Sequence, residues 1–304
     1  MQKVLIICGP TASGKTDLAH HLAQLHNGEI INADSMQIYK TIPHITASPN
    51  IELKQELPYH LYNFWNVYQP FSMSQYFVLA NDKIKDVTNK QKLPIVVGGT
   101  GMYINALLYG YSDIPIVSEE LKLQAREMHK RLGQEKFFAL LNSLDYSSSV
   151  VLNKNDTQRS IRAYEVLLQT GKPISFYHQK IKHLSENFVF EVFFLLPERK
   201  FLYQSCDARL INIFDKKAME EIEDLQVQYP DLNTPATKAI GIFEIRQYIS
   251  GAISLEQAIT QAQVRTRRYA KRQVTWFTHQ IPYKQTLHYS DQHSYQNLTN
   301  MIEI

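Results

Sequence analysis

The chain has 304 residues, of which 44% are hydrophobic and 20% charged, and its 32 basic and 29 acidic side chains give a net charge of +3. These proportions exclude collagen-like and largely disordered chains, and so small a charge does not by itself indicate nucleic-acid binding. No apolar run is long enough to predict a membrane-spanning helix, and two cysteines are too few for a disulfide framework or a four-thiolate zinc site. Because a strand-like run begins at Val4 and leaves no room for a leader peptide, we expect a cytoplasmic protein.

The first 112 residues alternate short apolar runs with longer amphipathic segments. The runs typical of buried strands lie at residues 4–8, 29–32 and 93–97. The segments with helical spacing lie at residues 16–26, 72–89 and 100–109. Strands that alternate with helices predict an α/β core with a parallel sheet and right-handed crossovers.

The pattern becomes helical beyond residue 112. Helices are predicted at residues 119–132, 135–142 and 157–169, a strand at 188–196, and long helices at 199–228 and 255–278. We therefore predict a helical insertion at residues 113–187 within an α/β core formed by residues 1–112 and 188–304.

A phosphate-binding pattern lies between the first strand and the first helix. The residues are Gly9, Pro10, Thr11, Ala12, Ser13, Gly14, Lys15 and Thr16. They fit G-x-x-x-x-G-K-[ST], in which glycines let backbone N–H groups turn inward and the helix N-terminus adds partial positive charge. Lys15 supplies a charge to a phosphate chain, and the Thr16 hydroxyl can ligate Mg²⁺. The pattern predicts a P-loop NTPase-like sheet and a polyphosphate ligand without saying which one.

Two further segments follow strands at the same edge of the predicted sheet. Asp34 follows the second strand, where a carboxylate can hold Mg²⁺, accept a proton from a substrate, or cap a helix. Gly98, Gly99 and Thr100 follow the third strand, where they permit either close approach of a ligand or a tight turn.

Two segments are rich in arginine. Arg159 and Arg162 share a helix face in the insertion, which is typical of either a ligand site or a solvated surface. Five of the eight residues from Arg265 to Arg272 are basic, and Tyr269, Trp276 and Phe277 interleave with them. Such rings can stack on unpaired bases, although they are equally typical of a helix core.

Taken together, these segments resemble the tRNA dimethylallyltransferase family, in its compact bacterial form. The resemblance rests on five segments in the same order: 9–16, 34–39 (Asp-Ser-Met-Gln-Ile-Tyr), 98–103 (Gly-Gly-Thr-Gly-Met-Tyr), Asp156 to Glu165, and Lys271 to Trp276. It implies transfer of a dimethylallyl group from its diphosphate to N6 of the adenine at position 37, next to the anticodon, in tRNAs that read codons beginning with U. It also implies Mg²⁺ as cofactor, dimethylallyl diphosphate and a tRNA anticodon stem-loop as partners, and a monomer. By the same resemblance, the insertion at residues 113–187 would bind tRNA and the core at residues 1–112 and 188–304 would be catalytic.

The resemblance also implies roles for individual residues. Asp34 would be the general base, with Thr100, Lys15 and Arg209 as further catalytic residues and Thr16 as the metal ligand. The residues expected to contact tRNA are Asp34, Ser35, Met36, Gln37, Thr100, Lys122, Gln158, Arg159, Ser160, Ile161, Arg162, Lys271, Arg272 and Gln273. The chain departs from the family pattern at Ile45, Ser48, Asn63, Ile242, Phe243 and Thr278.

Two other functions share some of these features. A small-molecule or nucleotide kinase would use the same loop, sheet and Mg²⁺ with ATP, and its lid could carry an arginine pair like Arg159 and Arg162. An RNA-binding module without catalysis would keep the loop for structural reasons. Assays of phosphate transfer and of an Asp34 variant separate these functions from prenyl transfer.

Overall fold

The computed structural model describes residues 2–183, 188–230 and 234–302, which form two compact units. The larger unit comprises Met1–Tyr109 and Leu184–Ile304, and the smaller comprises Gly110–His183. The predicted boundary at residues 187 and 188 adjoins positions 184–187, which lie outside the described residues. In the part of the chain that is described, no helix is both long and apolar enough to cross a membrane.

The larger unit begins with four strands and four helices. They are β1 (Gln2–Cys8), α1 (Lys15–Leu25), β2 (Gly28–Asn32), α2 (Ile51–Glu56), β3 (Tyr59–His60), α3 (Met73–Asn89), β4 (Leu93–Gly98) and α4 (Gly101–Tyr109). The three strands and three helices predicted here are confirmed, with ends that differ by at most two residues. Helix α3 begins at a capping box in which Ser72 and Gln75 exchange hydrogen bonds. Helix α2 and strand β3 are too short to show a clear period and were not predicted.

The smaller unit is mainly helical. Its elements are β5 (Tyr111–Ser112), α5 (Glu119–Leu144), α6 (Tyr146–Val151), α7 (Thr157–Thr170), α8 (Ile174–His178) and β6 (Ile181–Lys182). Gly133 interrupts α5 with non-helical angles (φ 73°, ψ 166°), in agreement with the two separate helical segments predicted there. Phe137 and Leu141 of α5 pack with Ala163 and Val166 of α7 in a core that belongs to this unit.

The chain then completes the larger unit. Its remaining elements are β7 (Phe188–Pro197), α9 (Arg199–Ile213), α10 (Lys216–Gln228), α11 (Ile242–Ile249), α12 (Leu255–Gln280), β8 (Gln285–Tyr289) and α13 (Gln292–Gln296). The prediction of one helix over 199–228 is wrong, because the Asp215 side chain caps a new helix by accepting the Ala218 N–H at 3.0 Å. Strand β8 was not predicted.

All six strands of the central sheet run parallel, in the order β3-β2-β4-β1-β7-β8. Leu5 and Ile7 of β1 pack with Leu18 and Leu22 of α1 in a fully buried core on one face of the sheet. The predicted α/β core with helices around a parallel sheet is thereby confirmed. Because β2, β4 and β1 are neighbours, the three segments that follow them meet at the carboxyl edge of the sheet, where such folds bind ligands.

Candidate active site

The loop from Gly9 to Thr16 joins β1 to α1 and lines a cavity of about 1000 Å³ with residues 11 to 16. Lys15 Nζ donates to the Pro10 carbonyl at 2.6 Å and to Ser13 Oγ at 3.4 Å, so the ammonium is held across the loop. Burial lowers the pKa of Lys15 to about 8, and the charge of nearby Asp34 offsets part of that effect. The loop therefore holds a desolvated cation at the edge of the sheet.

Asp34 is presented by a buried asparagine at the end of β2. Asn32, which is 0% exposed, accepts the Asp34 N–H on Oδ1 at 2.8 Å and donates from Nδ2 to the Asp34 and Leu61 carbonyls at 3.0 and 2.9 Å. Asp34 Oδ1 in turn accepts the Met36 N–H at 2.9 Å. No helix begins here in the described chain, so the helix-cap alternative is wrong. The carboxylate is fixed by an Asx turn and lines the cavity.

Thr100 is bonded to the segment that carries Asp34. Its Oγ1 accepts the Ser35 N–H at 2.9 Å and donates to Ser35 Oγ at 3.2 Å, while its N–H donates to the Ala33 carbonyl at 3.1 Å. Thr100 thus joins the ends of β4 and β2 and holds the turn at Asp34 from the side.

Gln273 of α12 connects the loop to the end of β4. Its Oε1 accepts the Thr11 N–H at 2.8 Å and its Nε2 donates to the Gly99 carbonyl at 2.9 Å. The side chain is 6% exposed, and both ends of its amide are bonded to backbone. This bridging role was not predicted; the tRNA contact predicted for Gln273 stays a prediction.

The cavity brings together three of the four predicted catalytic residues, Lys15, Asp34 and Arg209. Arg209 reaches it from α9 and donates from Nη2 to the Thr46 carbonyl at 3.2 Å. The cationic lining residues are Lys15, Arg209, Lys238, Arg265, Arg268 and Arg272, against the two acids Asp17 and Asp34. Apolar side chains form another part of the wall, contributed by Ile45, Leu53, Leu210, Ile213, Ala239 and Ile240. A cavity of this composition suits an anion that carries a short apolar group.

Residues 45 to 48, where the sequence departs from the family pattern, belong to this wall. Ser48 Oγ donates to Asn63 Oδ1 at 3.1 Å, so two of the departures contact each other. Lys54 Nζ donates to the same oxygen at 2.6 Å. Gln37 Nε2 donates to the Ala47 carbonyl at 2.9 Å and joins this loop to the Asp34 segment.

The basic residues of α12 divide into two groups. Arg265 Nη1 lies 2.5 Å from Glu244 Oε1 and Arg267 Nη1 lies 2.5 Å from Asp207 Oδ1. Arg268 and Arg272 line the cavity without appearing in those pairs, and Arg272 lies 5.7 Å from the centre of the Tyr269 ring. Lys271 is exposed on the same helix.

The aromatic residues of α12 also differ from one another. Phe277 is 1% exposed and packs on Phe194, so it belongs to the core. The Trp276 ring packs against Gly101 and occupies the space that a Cβ at that position would need. Tyr269 lines the cavity, and of the three rings it is the one placed to face a ligand there.

The remaining predicted tRNA contacts lie in the smaller unit. Gln158 and Arg159 are exposed, whereas Ser160 is 0% exposed and donates to the Asp156 carbonyl at 2.7 Å. Ile161 packs against the core of this unit, and Arg162 lies 3.2 Å from Glu165. Lys122 pairs with Glu119 at 2.6 Å. The exposed side chains are therefore those best placed to meet an external partner.

Sequence reasoning missed several residues that shape the site. Asn32 carries no pattern signal beyond its place at the end of the predicted strand, two residues before Asp34. Lys238 lies in a 3₁₀ turn, Pro235–Lys238, that follows no recognisable motif. Tyr289 and Tyr295 contact the phosphate loop from the far end of the chain, and nothing in their local sequence indicates it.

The parallel sheet, the loop after its first strand and the cationic cavity define an α/β protein of the P-loop class. Two family models match: IPP transferase over residues 37–280 and isopentenyl transferase over residues 2–57. The chain belongs to the IPP transferase family.

Relatives and solved structures agree with that assignment. The chain is 51% identical to a tRNA dimethylallyltransferase of Rickettsia bellii, covering 100% of this chain and 97% of the relative, and 49% identical to that of Rickettsia conorii, covering 100% and 84%. A crystal structure of tRNA delta(2)-isopentenylpyrophosphate transferase from Staphylococcus epidermidis superposes with a TM-score of 0.69 at 31% identity, covering 99% of this chain and 97% of the other. A eukaryotic dimethylallyltransferase acting on tRNA gives a TM-score of 0.80 at 26% identity, covering 99% and 77%.

Proposed function

We propose that this chain transfers a dimethylallyl group from dimethylallyl diphosphate to N6 of the adenine at position 37 of tRNAs that read codons beginning with U. The products are N6-isopentenyladenosine in the tRNA and diphosphate. The observation that carries the proposal is the single cavity that holds the phosphate loop, Lys15, Arg209 and Asp34 together with an apolar wall. The name tRNA dimethylallyltransferase, carried by relatives that match along the full chain, supports the same activity.

The cations of the cavity are suited to the leaving group. As the C1–O bond of the substrate breaks, its electron pair leaves with the diphosphate, whose negative charge rises. Lys15, Arg209 and the amides of the loop are fixed donors for that charge, and fixed donors need little reorganisation at the moment of reaction. The apolar side chains near Ile45 and Leu210 give the dimethylallyl group a surface that excludes water.

Asp34 is suited to accept the proton that the nucleophile loses. The N6 amine attacks C1 and forms the new N–C bond, and the proton it loses passes to the carboxylate of Asp34. Since Met36 and Asn32 fix the turn that carries it, this base needs no rearrangement before it acts. The adenine must leave its stack in the anticodon loop to enter such a cavity.

Mg²⁺ is the cofactor we propose, and the donors present fit it. The Thr16 hydroxyl and the Asp17 carboxylate line the cavity, and both offer oxygen atoms. Among the described residues no cluster of three or more His, Cys, Asp or Glu side chains could hold a metal alone. This is usual for Mg²⁺, which binds one or two protein groups together with substrate phosphates and water. When bound, the ion neutralises charge on the leaving diphosphate.

The tRNA contacts that we propose are those predicted from the sequence. The segment from Asp34 to Gln37, with Thr100, would meet the target nucleotide, and Lys271 and Arg272 would meet the backbone of the anticodon stem-loop. In the smaller unit, Gln158 and Arg159 are exposed and suited to the same partner. We propose that the protein acts as a monomer in the cytoplasm, where unmodified tRNA is available.

The test incubates the protein with dimethylallyl diphosphate, Mg²⁺ and unmodified tRNA, followed by mass spectrometry of the digested nucleosides. We expect N6-isopentenyladenosine, formed only when all three components are present. A parallel reaction with γ-labelled ATP and the same acceptors is the control. Label transfer without prenylated adenosine would replace the proposal with a kinase activity.

A further inference from the structure

Two tyrosines from the last part of the chain hold the phosphate loop from outside the cavity. Tyr289 Oη donates to the Ser13 carbonyl at 2.6 Å, and Tyr295 Oη donates to the Gly14 carbonyl at 2.7 Å. Tyr289 is the last residue of β8 and Tyr295 lies in α13, and their ring centres are 5.3 Å apart. Neither ring lines the cavity, so the two phenols approach consecutive carbonyls from its outer side.

The geometry of the peptide bond transmits these contacts to the cavity. In a trans peptide the carbonyl and the N–H of the next residue point in opposite directions within one plane. A donor that holds the Ser13 carbonyl therefore helps to fix the direction of the Gly14 N–H. In the same way, the Tyr295 hydroxyl, together with the Leu18 N–H at 3.2 Å, holds the Gly14 carbonyl and so the direction of the Lys15 N–H. Both N–H groups are turned away from the phenols, and both residues line the cavity.

The conformation of Gly14 and its lack of a side chain permit the contact with Tyr295. Its φ is +73°, a left-handed conformation that favours glycine, and a Cβ there would stand 2.7 Å from Cε2 and 2.8 Å from Oη of Tyr295. The second glycine of the pattern thus leaves room for a phenol 281 positions later in the chain. Burial raises the pKa of both tyrosines, so each hydroxyl keeps the proton that it donates at neutral pH.

We infer that Tyr289 and Tyr295 are positioning residues, which aim the Gly14 and Lys15 amides at the departing diphosphate. The inference rests on the proposed function, because it assigns the loop to the diphosphate of the substrate. Preorganised amides bind an oxyanion without the cost of reorienting, so loss of a phenol hydroxyl weakens diphosphate binding although the hydroxyl never touches it.

The test removes only the hydroxyls, in Tyr289→Phe, Tyr295→Phe and the double variant. The matched control is Tyr76→Phe, because the Tyr76 hydroxyl is buried and has no hydrogen-bond partner within the described residues. Calorimetry with inorganic diphosphate and Mg²⁺ is expected to give a Kd about 3- to 10-fold weaker for each single variant and unchanged for the control. KM for dimethylallyl diphosphate rises in parallel, and KM for tRNA does not change.

A spectroscopic readout separates positioning from a general loss of structure. In the parent, diphosphate shifts the Gly14 and Lys15 amide proton resonances downfield. The shift is smaller at the Gly14 amide in Tyr289→Phe and, to a lesser extent, at the Lys15 amide in Tyr295→Phe, where the Leu18 N–H still donates to the Gly14 carbonyl at 3.2 Å. Variants that bind diphosphate like the parent overturn the inference, and so does an equal rise in both KM values that follows a lower Tm. A parent that binds neither diphosphate nor dimethylallyl diphosphate instead refutes the proposed function from which the inference starts.

Discussion

The phosphate loop and helix α12 both bring cations to one cavity, but they do so by different means. In the loop, eight consecutive residues supply the turn, the amides and Lys15, and a strand and a helix fix them on either side. In α12, Arg265, Arg268 and Arg272 line the cavity, but Arg265 is paired with Glu244, as Arg267 is with Asp207, whereas Arg268 and Arg272 belong to neither pair. The comparison shows that the function of a local motif can be predicted from its own residues. The function of a run of basic residues depends instead on which of them are neutralised by carboxylates distant in the sequence.

The largest effect is expected at Asp34, the acid that faces the loop. Asp34→Ala should slow prenyl transfer by about 10²–10⁴-fold, because the N6 proton loses its acceptor, while the Kd for diphosphate stays nearly unchanged. Single-turnover transfer and calorimetry measure the two quantities separately. Asp34→Asn keeps the shape and the acceptor oxygen for the Met36 N–H but removes the base, so it should be as slow as the alanine variant. An active asparagine variant would contradict the assignment.

A smaller effect is expected when the loop loses its cation. Lys15→Ala should weaken diphosphate binding by about 10- to 100-fold, since a charge-assisted contact to phosphate is lost, and transfer should slow with it. Lys216→Ala is the control, because Lys216 is 90% exposed and pairs only with Glu220 at 3.2 Å among the described contacts. Equal diphosphate affinity in the two variants would mean that Lys15 does not face the ligand.

The sequence predicted the parts of the site that depend on neighbours along the chain. The loop, Asp34 after β2 and Thr100 after β4 could be placed at one edge because parallel strands end there together. The sequence could not predict the partners of those residues, such as Gln273 bridging Thr11 and Gly99, because such contacts join positions that only folding brings together.

The dependence on contacts between distant residues also explains the errors in the predicted fold. Residues 199–228 have one continuous helical pattern, but the backbone leaves helical angles at Phe214 and Asp215, and the Asp215 side chain caps a second helix by accepting the Ala218 N–H. Strand β8 is five residues long and its existence depends on pairing with β7, in the register Leu195 to Leu287. Short elements stabilised by a distant neighbour carry little local signal.

The charge of Lys15 in the loop should also determine how substrate affinity depends on pH. Burial lowers the pKa of Lys15 to about 8, so below that pH the ammonium is charged and above it the amine is neutral. Dimethylallyl diphosphate should therefore bind about 10-fold more weakly at pH 9 than at pH 7, because about one lysine in ten remains charged. Lys15→Arg keeps its charge and should flatten this dependence. A parent whose Kd is constant from pH 7 to 9 would place the pKa of Lys15 higher.

The smallest effect is expected for the affinity for tRNA. It tests directly the difference between paired and unpaired arginines among the described residues of α12. Arg272→Ala should weaken binding by about 3- to 10-fold and reduce the slope of log K against log salt by about 1, because one phosphate contact is lost. Arg267→Ala removes a cation from the same helix, but one already paired with Asp207, so its salt slope should equal that of the parent. Filter binding across 50–200 mM salt, a range over which phosphate contacts change affinity strongly, measures both slopes. Equal slopes for Arg272→Ala and the parent would assign Arg272 to the diphosphate instead, and a lower slope for Arg267→Ala would mean that tRNA displaces Asp207.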